Sequence, residues 1–303
     1  MIKSKHLFLG TAVALACVAA QAQSLNLGNY AVTGNFQLDT LFGTSGQGVS
    51  GLEASAVTYN RDTGTLFYVG DEGTGMVEIS KTGQTVSTMR FTGWPAASTN
   101  HDAEGLTYVG NGQFVTVDER LQDAYKFTYT GNTNFNQPNV STGVNLANVP
   151  SVSIGASAGN SGLEGISFDP RNGSFVSIKQ ENPENVLGGT LNFTNGASTM
   201  SALFNPALLG LSTLSDIQTL SPIDSLAGTA AADNLLVLSL GSRELLEVNR
   251  SGQILSSFDL SNVAPHNGIE GVTVDNLGNI YLIAEQSQDG SELDPHSVLI
   301  QLS

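Results

Sequence analysis

Cysteine is almost absent from this chain of 303 residues: the single one is Cys17. It falls in a leading segment with a basic start (MIKSKH), an apolar run (LFLGTAVALACVAA) and a small-residue site at Ala20-Gln21-Ala22. That order reads as a secretory signal peptide over residues 1–22. The run is too short to span a bilayer comfortably. The expected protein is exported, to the periplasm or outside the cell, as a single domain over residues 23–303. Leu15-Ala16-Cys17 loosely resembles a lipobox, so the alternative is a lipid anchor through Cys17. A chain cut after Ala22 has no cysteine, which excludes disulfides and thiolate metal sites. Its fold must stand on its core alone.

Positive charge is also scarce. Eleven Lys and Arg face 27 Asp and Glu, a net charge of −16, and Lys3 and Lys5 belong to the leader. Such a chain repels nucleic acid and anionic membrane and favours cations. No nucleic-acid partner is expected, and the protein is read as a monomer. The plain alternative is that acidity only keeps an exported protein soluble. Histidine is rare too. Beyond the leader there are only His101, His266 and His296. Helical periodicity is hard to find, apart from one turn near FNPALLG.

A repeat fills the rest. LEASAVTYNRDTGTLFYVGDEG begins at Leu52, AEGLTYVGNGQFVTVDER at Ala103, GLEGISFDPRNGSFVSIKQE at Gly162 and IEGVTVDNLGNIYLIAEQ at Ile269. A degraded copy, DIQTLSPI with DNLLVLSLGS, begins at Asp216. The leading acids Glu53, Glu104, Glu164, Asp216 and Glu270 are 51, 60, 52 and 54 residues apart. A small residue follows each acid (Ala54, Gly105, Gly165, Gly271), with Ile217 the exception. Apolar and Ser/Thr residues then alternate, which is strand periodicity. A turn column holds Gly64, Gly112, Gly173, Asp233 and Gly278, residues suited to positive φ. A second apolar strand follows: LFYV, FVTV, FVSI, LLVL, IYLI. Two more strands follow in most copies, such as MVEIS and TVSTMRF.

Four-stranded antiparallel units repeated about every fifty residues are the signature of a β-propeller. The expected fold is all-β, a five-bladed propeller of four-stranded antiparallel blades. The fifth copy is one strand short, ending in SVLIQLS, and NYAVTGNFQLD (residues 29–39) supplies the missing strand. A sixth blade would need a complete unit in residues 23–50, which has no acid-led hairpin.

In a blade the first strand lines the central channel, and the second returns to the same face. A second column therefore joins the leading acids at one mouth: Asp71, Glu119, Gln180, Leu240 and Glu285, flanked by Glu72, Asp118 and Glu181. Arg61, Lys81, Arg171 and Arg250 fall in turns at the opposite face, and only Arg120, Lys179 and Arg243 lie near the acids. At about 6 Å and an effective dielectric of about 20, neighbouring carboxylates repel by roughly 3 kcal/mol each. A bound cation would relieve this. Carboxylates, Gln180, carbonyls and water are hard oxygen donors, which suit Ca2+, whereas zinc and copper prefer His and Cys. The metal-site candidates are Glu53, Glu104, Glu164, Asp216, Glu270, Asp71, Glu119 and Glu285. The alternative is a water-filled polar channel with partly paired carboxylates. His101 and His266, three and four residues before Glu104 and Glu270, could approach the same mouth. Residues 286–296 carry acids at the wrong spacing for an EF-hand.

The four intact repeats resemble the SdiA-regulated (YjiK-like) family over roughly residues 48–303. That resemblance implies a five-bladed propeller with a calcium site, distantly similar to NHL-repeat propellers, and no established activity. The fourth copy departs from the pattern at Asp216 and Leu240. Two functions follow as expectations. One is a secreted calcium-binding module that binds or scaffolds an unknown small molecule or protein at its acidic face. Its contact loops would be residues 92–103, 146–163, 205–215 and 286–296. The other is a calcium-dependent, phytase-like phosphatase or esterase using the same channel, with Arg120, Lys179 and Arg243 as the cations available to phosphate. A lactonase is disfavoured by the blade count, and no G-x-S-x-G motif marks a nucleophile.

Overall fold

The computed structural model describes residues 24–39, 41, 53–71, 73–95, 102–133, 143–287 and 296–303. Residues 1–23 with Cys17, and also Glu72 and His101, lie outside them. The described residues form a five-bladed β-propeller. The innermost strands are Ala54–Asn60, Ala103–Gly110, Leu163–Asp169, Asp216–Thr219 and Asn267–Val274, and each packs on the next around the ring. The last blade runs Asn267–Val274, Ile280–Ser287, Val298–Leu302 and, outermost, the N-terminal strand Val32–Gln37. Antiparallel pairing of Phe36 with Leu299 and Gln37 with Val298 closes the ring as the repeat count requires.

Strand alternation explains the packing. Successive side chains of a strand point to opposite faces, and here each face meets a neighbouring blade. Leu66 and Tyr68 join the core shared with Tyr281 and Ile283 of the last blade. Phe67 and Val69, from the same strand, join Phe114 and Tyr125 of the second. Leu235 and Val237 likewise face the third blade while Leu236 and Leu238 face the fifth. Five hydrophobic clusters thus occupy the five blade interfaces among the described residues.

The Ser/Thr positions of the inner strands bind the blades near the axis. The N–H groups of Tyr108, Phe168 and Thr219 donate to the side-chain oxygens of Thr58 (3.1 Å), Thr107 (3.0 Å) and Ser167 (3.1 Å) in the preceding blade. The Thr273 hydroxyl donates to Gln218 Oε1 at 3.2 Å, and the N–H of Tyr59 donates to Thr273 Oγ1 at 3.1 Å, which completes the circle. Buried backbone donors need such partners, so the alternation of apolar and hydroxyl residues serves both the core and the ring.

Three blades depart from the simple unit. The first gains a fifth strand, Gly143–Asn145, parallel to Thr85–Gly93. This segment belongs to the second repeat, whose greater length it accounts for. The third carries an extra hairpin, Leu191–Asn192 with Ala197–Ser198. In the fourth, residues 220–234 replace the tight turn. Gly64, Gly112, Gly173 and Gly278 have φ between 70° and 93° as expected, but Asp233 ends a 3-10 turn, Ala230–Asp233, and does not share their geometry. The expected turn in FNPALLG is the 3-10 turn Pro206–Leu208.

Candidate functional site

One channel mouth is an acidic basin. Glu53, Asp71, Asp102, Glu104, Glu119, Glu164, Glu270 and Glu285 line it, with Arg120, Asn160 and Gln180. Its volume is about 590 Å³, counting the space open to solvent. That is room for an ion and its waters, each of which takes about 30 Å³ in the liquid.

Three of these acids are placed by the same backbone device. The inner strands pair regularly with their partners except for a register shift that leaves Glu104, Glu164 and Glu270 each as an unpaired extra residue. A bulge of this kind re-aims a side chain. The glycine that follows is needed for packing: a Cβ on Gly271 would lie 2.9 Å from the backbone of Ser55 and Val57 in the next blade.

Register corrects the acid ring in two copies. In the first blade the shift falls between Ala54 and Ala56, so Ser55 holds the position of Glu104, Glu164 and Glu270. Glu53 lies two residues earlier, in the place Asp102 takes in the second blade. It lines the basin with φ 53°, and its carboxylate accepts from Gln286 Nε2 at 3.2 Å. In the fourth blade Asp216 pairs without a shift, opposite Leu238. It therefore occupies the small-residue position, is buried, and does not line the basin. Its Oδ1 accepts from the N–H of Ile217 and its Oδ2 from the N–H of Val272, both at 2.7 Å. Ser215 stands at the bulge position and accepts from the N–H of Leu240 at 2.9 Å. The ring is thus three glutamates and two serines.

The second column fares better: Asp71, Glu119, Gln180 and Glu285 all reach the basin and Leu240 does not. The flanking Asp118 instead accepts from the N–H of Leu121 at 2.8 Å inside a turn, and Glu181 is exposed. His266 is exposed and does not line the basin, and His296 contacts the Leu38 carbonyl at 3.2 Å. Asp102 and Asn160 were not anticipated. Asp102 is only two residues before Glu104, but its significance appears only once Glu53 is seen as its counterpart.

Electrostatics in the basin are severe. Burial, then Glu164, Glu270, Asp102 and Asp71 in turn, push the Glu104 carboxyl well above the ordinary carboxylate range. Burial and then Glu119 and Glu270 do the same to Glu164. For Glu270 burial leads and Glu285 follows, partly offset by the Ser55 hydroxyl. Glu119 is pushed up to about 7, chiefly by burial; the Gly162 N–H, which donates to it at 3.1 Å, opposes that rise. Among the described residues Arg120 is the one basic residue lining the basin, and it is ion-paired with Asp102. The other anticipated cations are engaged elsewhere. Lys179 Nζ donates to the carbonyls of Glu181 (2.8 Å) and Asn182 (3.2 Å). Arg243 donates to those of Val263 (2.6 Å), Ala264 (2.9 Å) and Asn267 (3.1 Å).

Asp71, Asp102 and Glu104 each bring one carboxylate oxygen within 4.8 Å of the others. Two oxygens about 2.4 Å from a shared Ca2+ lie at most about 4.8 Å apart, so these three carboxylates form a candidate cation-binding group.

Among solved structures the fold is similar to a luciferin-regenerating enzyme, at 11% identity over 89% of this chain and 94% of that one, with a TM-score of 0.50. It is also similar to glutaminyl cyclase from Myxococcus xanthus, at 12% identity over 90% and 96%, with a TM-score of 0.49. Likeness at that identity concerns the fold alone. The sequence model of the SdiA-regulated family matches residues 35–288, most of the chain, and the protein belongs to that family.

Proposed function

We propose that the acidic basin holds a divalent cation, Ca2+ by the chemistry of its donors, and that the protein is a cation-dependent binding or scaffold module. The observation that carries this reading is the convergence of eight acids and one arginine on a single channel mouth. Asp71, Asp102 and Glu104 are the best-placed direct ligands. Glu53, Glu119, Glu164, Glu270 and Glu285 surround them and would contribute charge, hydrogen bonds to bound water or further ligands. The acids that line the basin among the described residues are oxygen donors, which favours a hard cation over zinc or copper. The bound ion would neutralise the basin and offer open positions to an oxygen of a ligand or partner. Asp216 has no part in this, since two backbone N–H groups already occupy its oxygens.

A phosphatase reading finds less support. Phosphoryl chemistry needs positive charge on the phosphate oxygens. Arg120 is paired with Asp102, and Lys179 and Arg243 are held by carbonyls. The test is calorimetric titration of the chelator-treated protein with CaCl2, MgCl2 and ZnCl2. Saturable Ca2+ binding, weakened by Asp71→Asn with Glu104→Gln, supports the proposal. No heat of binding for any of the three ions rejects it.

A further inference from the structure

The opposite channel mouth has a different chemistry. Tyr59, Tyr108 and Phe168 end the innermost strands of three successive blades at equivalent positions, where the other two blades place Thr219 and Val274. Together with Arg61 and Pro222 they line a second, small cleft of about 410 Å³ counting the space open to solvent. Its lining is mostly apolar. The two tyrosine hydroxyls are already committed, Tyr59 donating to Asn276 Oδ1 at 3.1 Å and Tyr108 to Asp62. Each ring is packed on one side, Tyr59 under Lys81 Nζ (4.9 Å), Tyr108 against Phe114 (5.1 Å) and Phe168 against Phe175 (5.0 Å), and offers a ligand the surface that lines the cleft. Pro222 comes from the long connection of the fourth blade, so the departure from the tight turn helps to wall this pocket.

One polar group at the pocket remains lightly engaged. The other basic residues described at this end are held more closely: Lys81 Nζ lies 2.7 Å from Asp275, Arg171 Nη2 lies 2.6 Å from Asp169, and Arg250 Nε donates to the Asp233 carbonyl at 2.9 Å. Arg61 has only a 3.7 Å contact with the exposed Asp224. A long, exposed pair of that kind is worth little, and the guanidinium keeps donors for a planar anionic group, to which it is matched geometrically.

We propose that this pocket is a second ligand site, for a small aromatic carboxylate. The ring enters among Tyr59, Tyr108 and Phe168, and the carboxylate pairs with Arg61. The site is independent of the acidic basin, which would repel the same ligand.

The test uses 1-naphthoate and its neutral counterpart 1-naphthalenemethanol as probes, titrated by calorimetry into the full protein and two variants. Arg61→Gln changes an exposed side chain and leaves the core intact. Phe168→Leu removes one ring while keeping most of its volume. 1-Naphthoate is expected to bind with a Kd on the order of 1 mM or tighter. Arg61→Gln should weaken it about tenfold, the scale of one charge-assisted contact, and leave the alcohol within about twofold. Phe168→Leu should weaken both probes. The proposal is overturned if 1-naphthoate gives no saturable binding, or if Arg61→Gln leaves its affinity unchanged.

Discussion

The N–H of Val272 donates to Oδ2 of Asp216 at 2.7 Å, across the interface between the fourth and fifth blades. Asp216 heads its repeat as the glutamates do, yet its carboxylate fastens two blades instead of facing the channel. Asp216→Ala should destabilise the protein by about 2–4 kcal/mol, because it leaves two buried N–H groups without their acceptor. Its calcium affinity should stay that of the parent. Chemical denaturation and calorimetry on the same variant measure both, and a lost calcium response with unchanged stability would place Asp216 in the site after all.

Closure by the N-terminal strand predicts a second outcome. Besides pairing with Val298–Leu302, the N-terminal segment crosses to the fourth blade, where Leu25 N–H donates to the buried Glu247 at 3.0 Å and Leu27 enters the core. Deleting residues 25–40 exposes a strand edge, which invites edge-to-edge aggregation, and removes the Leu25 and Asn26 N–H donors from the buried Glu247. The truncated protein should melt lower and aggregate in light scattering. A melting temperature equal to that of the parent would show that closure contributes nothing.

The raised carboxyls set the pH dependence. Glu119 titrates near 7 in the folded protein against an ordinary value of 4.5, and Glu104, Glu164 and Glu270 are raised as well. Across that interval the folded state holds more protons than the unfolded one, so stability falls as pH rises. The metal-free protein should melt progressively higher as pH is lowered from about 7 to 4.5. Asp169 and Asp275, whose carboxyls are lowered despite burial by Arg171 and by Asn279 with Lys81, act in the opposite direction, but below their ordinary 3.8. A melting temperature that drops on going from pH 7 to pH 5 in chelator would contradict this sign.

Phytate should not be turned over at an ordinary enzyme rate. Among the described residues, Arg120, Lys179 and Arg243 are all engaged, and eight acids face the substrate. Phosphate release above about 1 s⁻¹ with Ca2+ present would restore the phosphatase reading.

Period-two alternation and the spacing of the acids were enough to read the five blades and the strand that seals them, because every inner strand repeats the same pattern. Register was harder. Glu53 and Asp216 are acids near the right place, and matching acids to acids shifts the first copy by two residues and the fourth by one. Val57-Thr58-Tyr59 and Leu106-Thr107-Tyr108 would have set it correctly, since Thr58 and Thr107 take equivalent places in the hydrogen-bonded ring. The bulges at Glu104, Glu164 and Glu270 leave no mark in a hydrophobicity pattern, as an extra residue changes direction without changing polarity. Asn160 reaches the basin from a connecting segment whose path no periodicity encodes.

Melting the parent protein and Glu104→Gln/Glu164→Gln, each with Ca2+ and with EDTA, tests the cation site most directly. An ion that binds only the folded ring stabilises it by RT ln(1 + [Ca2+]/Kd), about 2.7 kcal/mol at a hundredfold excess over Kd. The parent should gain that stability on adding Ca2+. The double variant should be more stable than the parent in EDTA, because two mutually repelling carboxyls are gone, and should respond less to Ca2+. A parent indifferent to Ca2+, together with a double variant that melts lower in EDTA, would show that these glutamates only support the fold.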